Sequence, residues 1–372
     1  RGHEVTWWIS NFEHRSKSFR ADGRLTDSSL PSTVNIISVP SAFYAKNISL
    51  SRVRYEYLFG RNFRDIAEKA TKPDVIVLAD PSLFYSDPVI RYAKDTGAKV
   101  VLDVLDLWPE QFQVTLPKFL RPLGRLIFLP LYIRRQRLVD AVDAVVGVTK
   151  DHLRAVRPPK GKPSLVAYLG LDFNKFLVDR IKAVPAKVQL FIQESDLIVV
   201  YAGTLGEAYD IGTVLTAAQM AIKGNNKIKF IFAGDGPYSQ SVRALSEQFP
   251  ANVLFLGKVS AEVLPSIYNR CHVGICSYSQ DSTVTMPVKL YDYLAGGLFI
   301  LYSINGEIDN LLSQNACGIY YAPSNSKELS MHILKTSYNH EVNSLRSNSL
   351  NLALRFDQSV QHNHFASLIE QV

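Results

Sequence analysis

A chain of 372 residues, 47% apolar and 20% charged, is long enough for two ordinary domains and too apolar for a disordered tail. No apolar run reaches the ~18–20 residues of a membrane-spanning helix, and the opening residues lack the pattern of a signal peptide. Three scattered cysteines, Cys271, Cys276 and Cys317, match neither a zinc site nor a disulfide framework and fit a reducing cytosol.

The net charge of +7 is lopsided. Residues 1–175 hold 27 Lys/Arg against 18 Asp/Glu, and the remainder holds 14 against 16. A basic first half suits a partner with an anionic surface, and nucleic acid and anionic lipid both qualify on charge alone. Nucleic acid is the weaker fit, because no interleaved basic–aromatic module or zinc pattern accompanies the pI of 9.1.

In chain order, Arg1-Gly2-His3-Glu4-Val5-Thr6-Trp7-Trp8 reads as the tail of a helix, a turn glycine and a strand. A first strand and helix are therefore expected to precede it. Short β-branched or aromatic runs predict strands at 5–10, 34–39, 74–79, 99–104, 144–148 and 164–168, with helices at 54–69, 86–97 and 125–140. A boundary follows over 170–194, where Pro185 interrupts any continuous helix.

The second series has strands at 197–202, 228–233, 253–256, 273–276, 298–302 and 318–321. Its helices centre near Thr216, Val242, Leu264, Leu290, Leu311 and Leu329, and the Ser- and Asn-rich stretch 323–349 reads as loosely packed helices and loops. This alternation is that of parallel α/β sheets. The expected division is a first domain over 1–172, a second over 173–354, and a last helix within 355–372 returning to the first. Two open α/β domains in succession imply a cleft at the carboxyl ends of two sheets, suited to a ligand that touches both.

Three glycine-bearing segments could carry chemistry. In Tyr201-Ala202-Gly203-Thr204-Leu205-Gly206-Glu207, a strand ends in a loop whose Gly203 and Gly206 would let backbone N–H groups approach a phosphate; a plain strand-to-helix turn is the alternative. Gly234-Asp235-Gly236-Pro237 reads first as a tight turn before a helix. Met286-Pro287-Val288-Lys289-Leu290-Tyr291-Asp292 opens a helix on which Lys289 and Asp292 share a face. A lysine beside free N–H groups can hold a diphosphate, and a carboxylate can accept from two ribose hydroxyls; a surface salt bridge is the other reading.

Taken together with Val253-Leu254-Phe255-Leu256-Gly257-Lys258-Val259, with Tyr293-Leu294-Ala295-Gly296-Gly297 and with Gly306-Glu307, these segments resemble glycosyltransferase family 4, of the GT-B fold, in its bacterial surface-polysaccharide branch. In the first half the matching residues are Arg1-Gly2-His3-Glu4-Val5, the stretch 103–109 and Tyr168-Leu169-Gly170-Leu171-Asp172. The resemblance implies two Rossmann-like domains facing each other across a cleft, the first lacking its initial strand and helix. It implies retaining transfer of a hexosyl or N-acetylhexosaminyl group from a nucleoside-diphosphate sugar, with no cofactor and no required metal. The donor would be bound by Gly203, Thr204, Gly206, Gly234, Gly257, Lys258, Met286, Pro287, Lys289, Leu290 and Asp292, with Asp292 in the place of the family's ribose-binding glutamate. The acceptor, a glycan or a polyprenyl-diphosphate-linked sugar of lipopolysaccharide or capsule synthesis, would lie on the first domain.

The departures fall on working residues. The family's other motif glutamate is replaced by Val284, and the cations that flank its diphosphate by Thr204 and Tyr209, which leaves Lys289 as the local cation. In Asp103-Val104-Leu105-Asp106-Leu107-Trp108-Pro109, Leu105 stands where many relatives have a histidine, so Asp103 or Asp106 would orient the sugar or the acceptor hydroxyl, unless they are helix caps. Trp108 is a sugar platform or a packing residue. In the polar loop Asn11-Phe12-Glu13-His14-Arg15-Ser16-Lys17, Glu13 or His14 could take the acceptor proton, although the leaving phosphate can do so too and a merely solvated loop is the plain alternative.

Residues 116–139 interleave bulky apolar side chains with Lys118, Arg121, Arg125, Arg134, Arg135 and Arg137. Such a segment either lies in an anionic bilayer surface or is a buried helix with a charged outer face. The first reading places the protein in the cytoplasm, peripheral on the inner face of the plasma membrane. A GT-B sugar-nucleotide epimerase and a non-catalytic sugar-nucleotide-binding subunit of an assembly complex are the rival functions.

Overall fold

The computed structural model describes residues 1–14, 16–20, 30–47, 49–81, 83–194, 196–337 and 342–372. The chain divides into two compact units, residues 1–166 with 365–372, and residues 167–364.

The strands of the first unit are β1 (Val5–Ser10), the short β2 (Phe12–Glu13) and β3 (Ser18–Phe19), β4 (Val34–Val39), β5 (Val75–Asp80), β6 (Lys99–Val104), β7 (Ala144–Gly147) and β8 (Ser164–Val166). Its helices are α1 (Leu50–Ala67), α2 (Ser86–Thr96), α3 (Glu110–Val114), α4 (Gly124–Ile127), α5 (Leu129–Ala141) and α6 (Lys150–Val156). Strands β5-β6-β7-β8 form a parallel sheet in that order, β1 pairs in parallel with β4, and β2 and β3 close a small antiparallel hairpin. Val100, Val101 and Leu102 of β6 and Ala144, Val145 and Val146 of β7 are buried, the continuous apolar run of a strand covered on both faces.

Local chemistry explains where these bounds differ from the sequence expectation. Helix α1 starts at Leu50, earlier than residue 54, because the Ser49 side chain accepts from the Arg52 N–H and caps it. The single helix expected over 125–140 is two, broken at Phe128, with Pro130 in the first turn of α5, where a missing N–H costs nothing. Helices α3 and α6 and the β2–β3 hairpin are too short to show a period.

The second unit has β9 (Leu197–Ala202), β10 (Ile228–Ala233), β11 (Val253–Gly257), β12 (Val273–Cys276), β13 (Phe299–Tyr302) and β14 (Gly318–Tyr320). Before, between and after them run α7 (Phe173–Arg180), α8 (Ala186–Phe191), α9 (Ile211–Gly224), α10 (Ser239–Gln248), α11 (Leu264–Tyr268), α12 (Val288–Ala295), α13 (Glu307–Gln314), α14 (Ser326–Ser337) and α15 (Val342–Ala353). Helix α16 (Gln358–Gln371) begins in this unit and ends in the first, which holds residues 365–372. The six strands are parallel in the order β11-β10-β9-β12-β13-β14. Counted within the unit this is 3-2-1-4-5-6, the doubly wound Rossmann order. Every residue of β9, β10, β12 and β13 is buried.

The stretch expected to be loosely packed is not. Leu329 and Ile333 of α14 lie in one core with Val214, Ala217 and Ala221 of α9, and Leu352 and Ala353 of α15 lie in the other. Gly224 leaves the room that the Leu334 side chain fills, since a Cβ there would come within 2.8 Å of it. Polar residues on both faces disguised their apolar stripes, since Ser330 and Ser349 are buried beside the apolar side chains while Lys327, Lys335, Ser347 and Asn351 are exposed; residues 338–341 lie outside the described part.

Candidate functional site

Strand order reverses between β9 and β12, and open α/β sheets bind ligands beyond the carboxyl ends of their strands at such a point. The residues that follow these ends are Gly203 after β9, Gly234 after β10, Gly257 and Lys258 at the end of β11, and Ser277 and Tyr278 after β12. The glycine loops interlock. Gly234 has φ +152°, its N–H donates to Gly257 O at 2.7 Å, and a Cβ on it would fall 1.8 Å from Gly203 O. The Gly203 N–H is taken by Ala233 O at 2.9 Å and that of Leu205 by Asp235 O at 2.9 Å. Gly203 therefore serves the site by lacking a side chain: its Cβ would stand 3.0 Å from Lys289 Nζ.

Lys289 comes from the first turn of α12, which Pro287 opens in an extended conformation. Its Nζ is buried and has no hydrogen-bond partner among the described residues. It is caged by three phenol rings, 4.1 Å from the centroid of Tyr201, 5.1 Å from Tyr209 and 5.7 Å from Tyr278. Ring quadrupoles attract a cation but leave its charge uncancelled. Burial accordingly pulls the Lys289 pKa down to about 8. Asp292, one turn along α12, is half-buried, and burial lifts its carboxyl to about 6. The two are not joined as an ion pair, so the surface-salt-bridge reading of their spacing does not hold. Met286, Pro287 and Leu290 are buried around them, while Lys258 and Val284 face solvent, Val284 with 38% of its surface exposed.

The Asp235 carboxyl of the second glycine loop is lowered in pKa by the Ser239 hydroxyl and the Gly236 N–H, the latter 2.8 Å from its Oδ1. That makes it a structural brace for the turn before α10. Farther along the unit, Tyr168 Oη donates to Glu307 Oε1 at 2.5 Å, which joins two segments that the sequence singled out separately.

In the first unit, Asp103 lies one residue from the end of β6, partly buried, with its carboxyl raised to about 6, mainly by burial and then by Asp80. Asp80 ends the neighbouring β5 and is itself buried. Asp106 is exposed and accepts from Gln111 Nε2 at 3.3 Å; Leu105 beside it is 40% exposed. Trp108 is a packing residue. It is buried against Phe112, with ring centroids 4.8 Å apart.

The loop after β1 folds back as the β2–β3 hairpin. His14 is exposed, with Nδ1 hydrogen-bonded to the Tyr44 hydroxyl, and its pKa is lowered by burial of that edge and by Lys17 and Arg52. Glu13 accepts from the Ser16 hydroxyl at 2.9 Å, and Arg15 lies outside the described residues. The sequence did not point to Tyr44, Arg52, Glu56, Asp80 or Tyr278, and it marked Tyr201 and Tyr209 only as part of a glycine segment and as the replacement of a family cation, not as a cage for Lys289. The residues it missed come from separate elements and read locally as ordinary positions. Among the described residues no three His, Cys, Asp or Glu side chains gather as a metal ion requires.

Known proteins share this architecture. Sucrose-phosphate synthase of Thermosynechococcus elongatus matches all of this chain and 89% of its own, with a TM-score of 0.71 at 15% identity. HepE of Anabaena, solved in complex with UDP, matches 91% of this chain and 87% of its own, with a TM-score of 0.67 at 15% identity. The E. coli trehalose-6-phosphate protein bound with UDP-2-fluoro glucose matches 99% and 93%, with a TM-score of 0.69 at 12% identity. These likenesses show the fold, which is GT-B. In sequence, 157 residues are 24% identical to the alpha-monoglucosyldiacylglycerol synthase of Streptococcus pneumoniae, a match that spans 41% of this chain and about a third (35%) of the relative. Residues 185–348, which hold β9 to α14 and with them Gly203, Gly234, Lys289 and Asp292, match the family described as Glycosyl transferases group 1.

Proposed function

We propose that the chain is a glycosyltransferase that takes a hexosyl or N-acetylhexosaminyl group from a uridine-diphosphate sugar and passes it, with retention, to a glycan or lipid-linked acceptor of bacterial surface polysaccharide. The observation that carries this reading is the unneutralised Lys289 ammonium at the switch point of a 3-2-1-4-5-6 sheet, beneath loops stripped of side chains. A diphosphate is the ligand chemistry that such a cation lacks, and a partly buried carboxylate one turn away suits ribose hydroxyls. The base is read as uracil because HepE and the E. coli protein were solved with UDP compounds. Retention and the polysaccharide role rest on the resemblance to glycosyltransferase family 4. Donor exchange needs no metal in this reading.

Transfer also needs an acceptor hydroxyl oriented and its proton accepted. Asp103, ionised above about pH 6, is the group of the first unit we assign to that work, with Asp106, Glu13 and His14 as the other candidates. Val284 and Leu105 favour one rival, a subunit that binds the sugar nucleotide without transferring it, because both stand exposed at places where the family works with polar groups.

Membrane contact belongs to the same reading. Phe119 (78% exposed), Leu123, Leu126 (69%), Ile127, Leu129 and Ile133 form an exposed apolar run beside the exposed Lys118, Arg125 and Arg137. This suits the surface of an anionic bilayer, where a lipid-linked acceptor would be found and a cytoplasmic enzyme would meet it. Incubation with UDP-glucose, UDP-N-acetylglucosamine and acceptor extracts, followed by product analysis, tests the proposal. A new α-linked glycoside is expected; a changed free sugar nucleotide would indicate the epimerase, and binding without turnover the non-catalytic subunit.

A further inference from the structure

We propose that the first unit carries an anion-binding site, built from Lys17, His14 and Arg52 around the ring of Tyr44, that holds a phosphate or diphosphate group of the acceptor. The proposal rests on the reading of the chain as a transferase, in which the first unit meets the acceptor.

Three nitrogen-bearing side chains from two elements converge on one phenol. Lys17 Nζ lies 4.2 Å from the centroid of the Tyr44 ring and the Arg52 guanidinium 4.8 Å from it. Arg52 Nη1 donates to the Tyr44 hydroxyl and stands 3.3 Å from His14 Nδ1. The Tyr44 hydroxyl, having accepted from Arg52, donates to that same Nδ1. With Nδ1 an acceptor, the neutral imidazole keeps its proton on Nε2, the ring nitrogen turned away from Tyr44. Tyr44 keeps its own proton, because burial raises its pKa.

The carboxylates nearby are already committed. Glu56 is buried and accepts from Arg52 Nε at 2.9 Å, and Glu13 accepts from Ser16. Among the described residues, Lys17 Nζ is met by the neutral Asn47 Oδ1, at 2.6 Å, and by no carboxylate. No described carboxylate balances its charge, and its pKa is lowered by burial and then by Arg52. Lys17 has φ +55°, a left-handed conformation that costs a non-glycine residue of order 1 kcal/mol, held by its N–H on Glu13 O at 3.0 Å. A strained turn that brings an ammonium beside a guanidinium and an imidazole N–H is a poor way to stabilise a hairpin and a good way to receive a dianion.

The test uses the whole chain saturated with UDP, so that the nucleotide site is filled, and inorganic pyrophosphate as the probe. The ring C–H resonances of His14, assigned with a His14→Gln variant, and the thermal midpoint are followed during the titration. Pyrophosphate is expected to shift the His14 resonances, to raise the His14 pKa and to bind about tenfold more weakly to Lys17→Met. The variant should bind UDP as the parent does. No His14 response, or one that Lys17→Met leaves intact, overturns the site. A response abolished by prior UDP would assign the anion to the nucleotide's own diphosphate and overturn its acceptor origin. If UDP fails to bind while pyrophosphate still moves His14 through Lys17, the anion site stands and the donor reading falls.

Discussion

Burial narrows from both sides the pH range in which Lys289 and Asp292 are charged together. In the free protein the ammonium titrates at about 8 and the carboxyl at about 6. A diphosphate needs the first charged and ribose hydroxyls need the second ionised. UDP-glucose has no group that titrates in this range, so its affinity should be bell-shaped, falling below about pH 6 and above about pH 8. Calorimetric titrations across pH check this, with Asp292→Asn removing the acid limb. A flat profile would disconnect the pair from the ligand.

The same lysine should reveal itself in stability. Its pKa is lower folded than unfolded, so below about pH 8 both states are protonated and the folded state bears the full burden of the buried charge. Between about pH 8 and the ordinary value of 10.5 the unfolded chain binds more protons, and stability rises with pH. Lys289→Met should therefore raise the thermal midpoint of the ligand-free protein at pH 7, by the few degrees that about 1–2 kcal/mol represents, while weakening the ligand. An unchanged or lower midpoint would mean the ammonium is not unsatisfied. The i, i+3 spacing made this pair legible in sequence. Its cage was not, because Tyr201, Tyr209 and Tyr278 lie in a strand, a short 3-10 turn and the segment after another strand, up to 77 residues apart.

At the scale of elements, the glycine loops hold because backbone lies against backbone. Gly234→Ala would drive a methyl into Gly203 O, so it should destabilise the second unit by roughly 3 kcal/mol or more and lower its melting temperature accordingly. The segment 116–139 shows what charge counting alone misses. Arg135 is buried on Glu110, with contacts at 2.6 and 2.9 Å, Arg134 reaches Asp87 at 2.5 Å, and Arg121 donates to Leu116 O and Val114 O. Of six basic side chains, three remain for a lipid surface, worth about 1 kcal/mol each. Flotation with anionic vesicles should therefore depend more on apolar than on basic residues: Phe119→Glu with Leu126→Glu should abolish it, while Arg137→Gln weakens it only a few-fold. Apolar periodicity exposed the strands of both sheets, yet it joined α4 to α5 and understated α14 and α15, where polar residues on both faces diluted the pattern.

At the scale of the molecule, two α/β units were legible from the alternation of runs, and the order of strands was not. Only the paired registers show that β9 is central and that its neighbour β12 begins the second half of the sheet. That order is what makes a set of glycine-rich turns a candidate ligand site, because it brings the ends of β9, β10 and β12 to one edge. The first unit offers no such order-based signal: Asp80 acts on Asp103 and on Glu56, and the three come from three elements with no shared motif.

The most direct measurement is calorimetric titration of UDP-glucose, with GDP- and CMP-sugars as controls, into the parent chain and Lys289→Met at pH 7. The parent is expected to bind the uridine compound, and the variant, folded by circular dichroism, to bind it at least about tenfold more weakly. Equal affinity in the two proteins, or no binding of any nucleotide sugar by the parent, would contradict it.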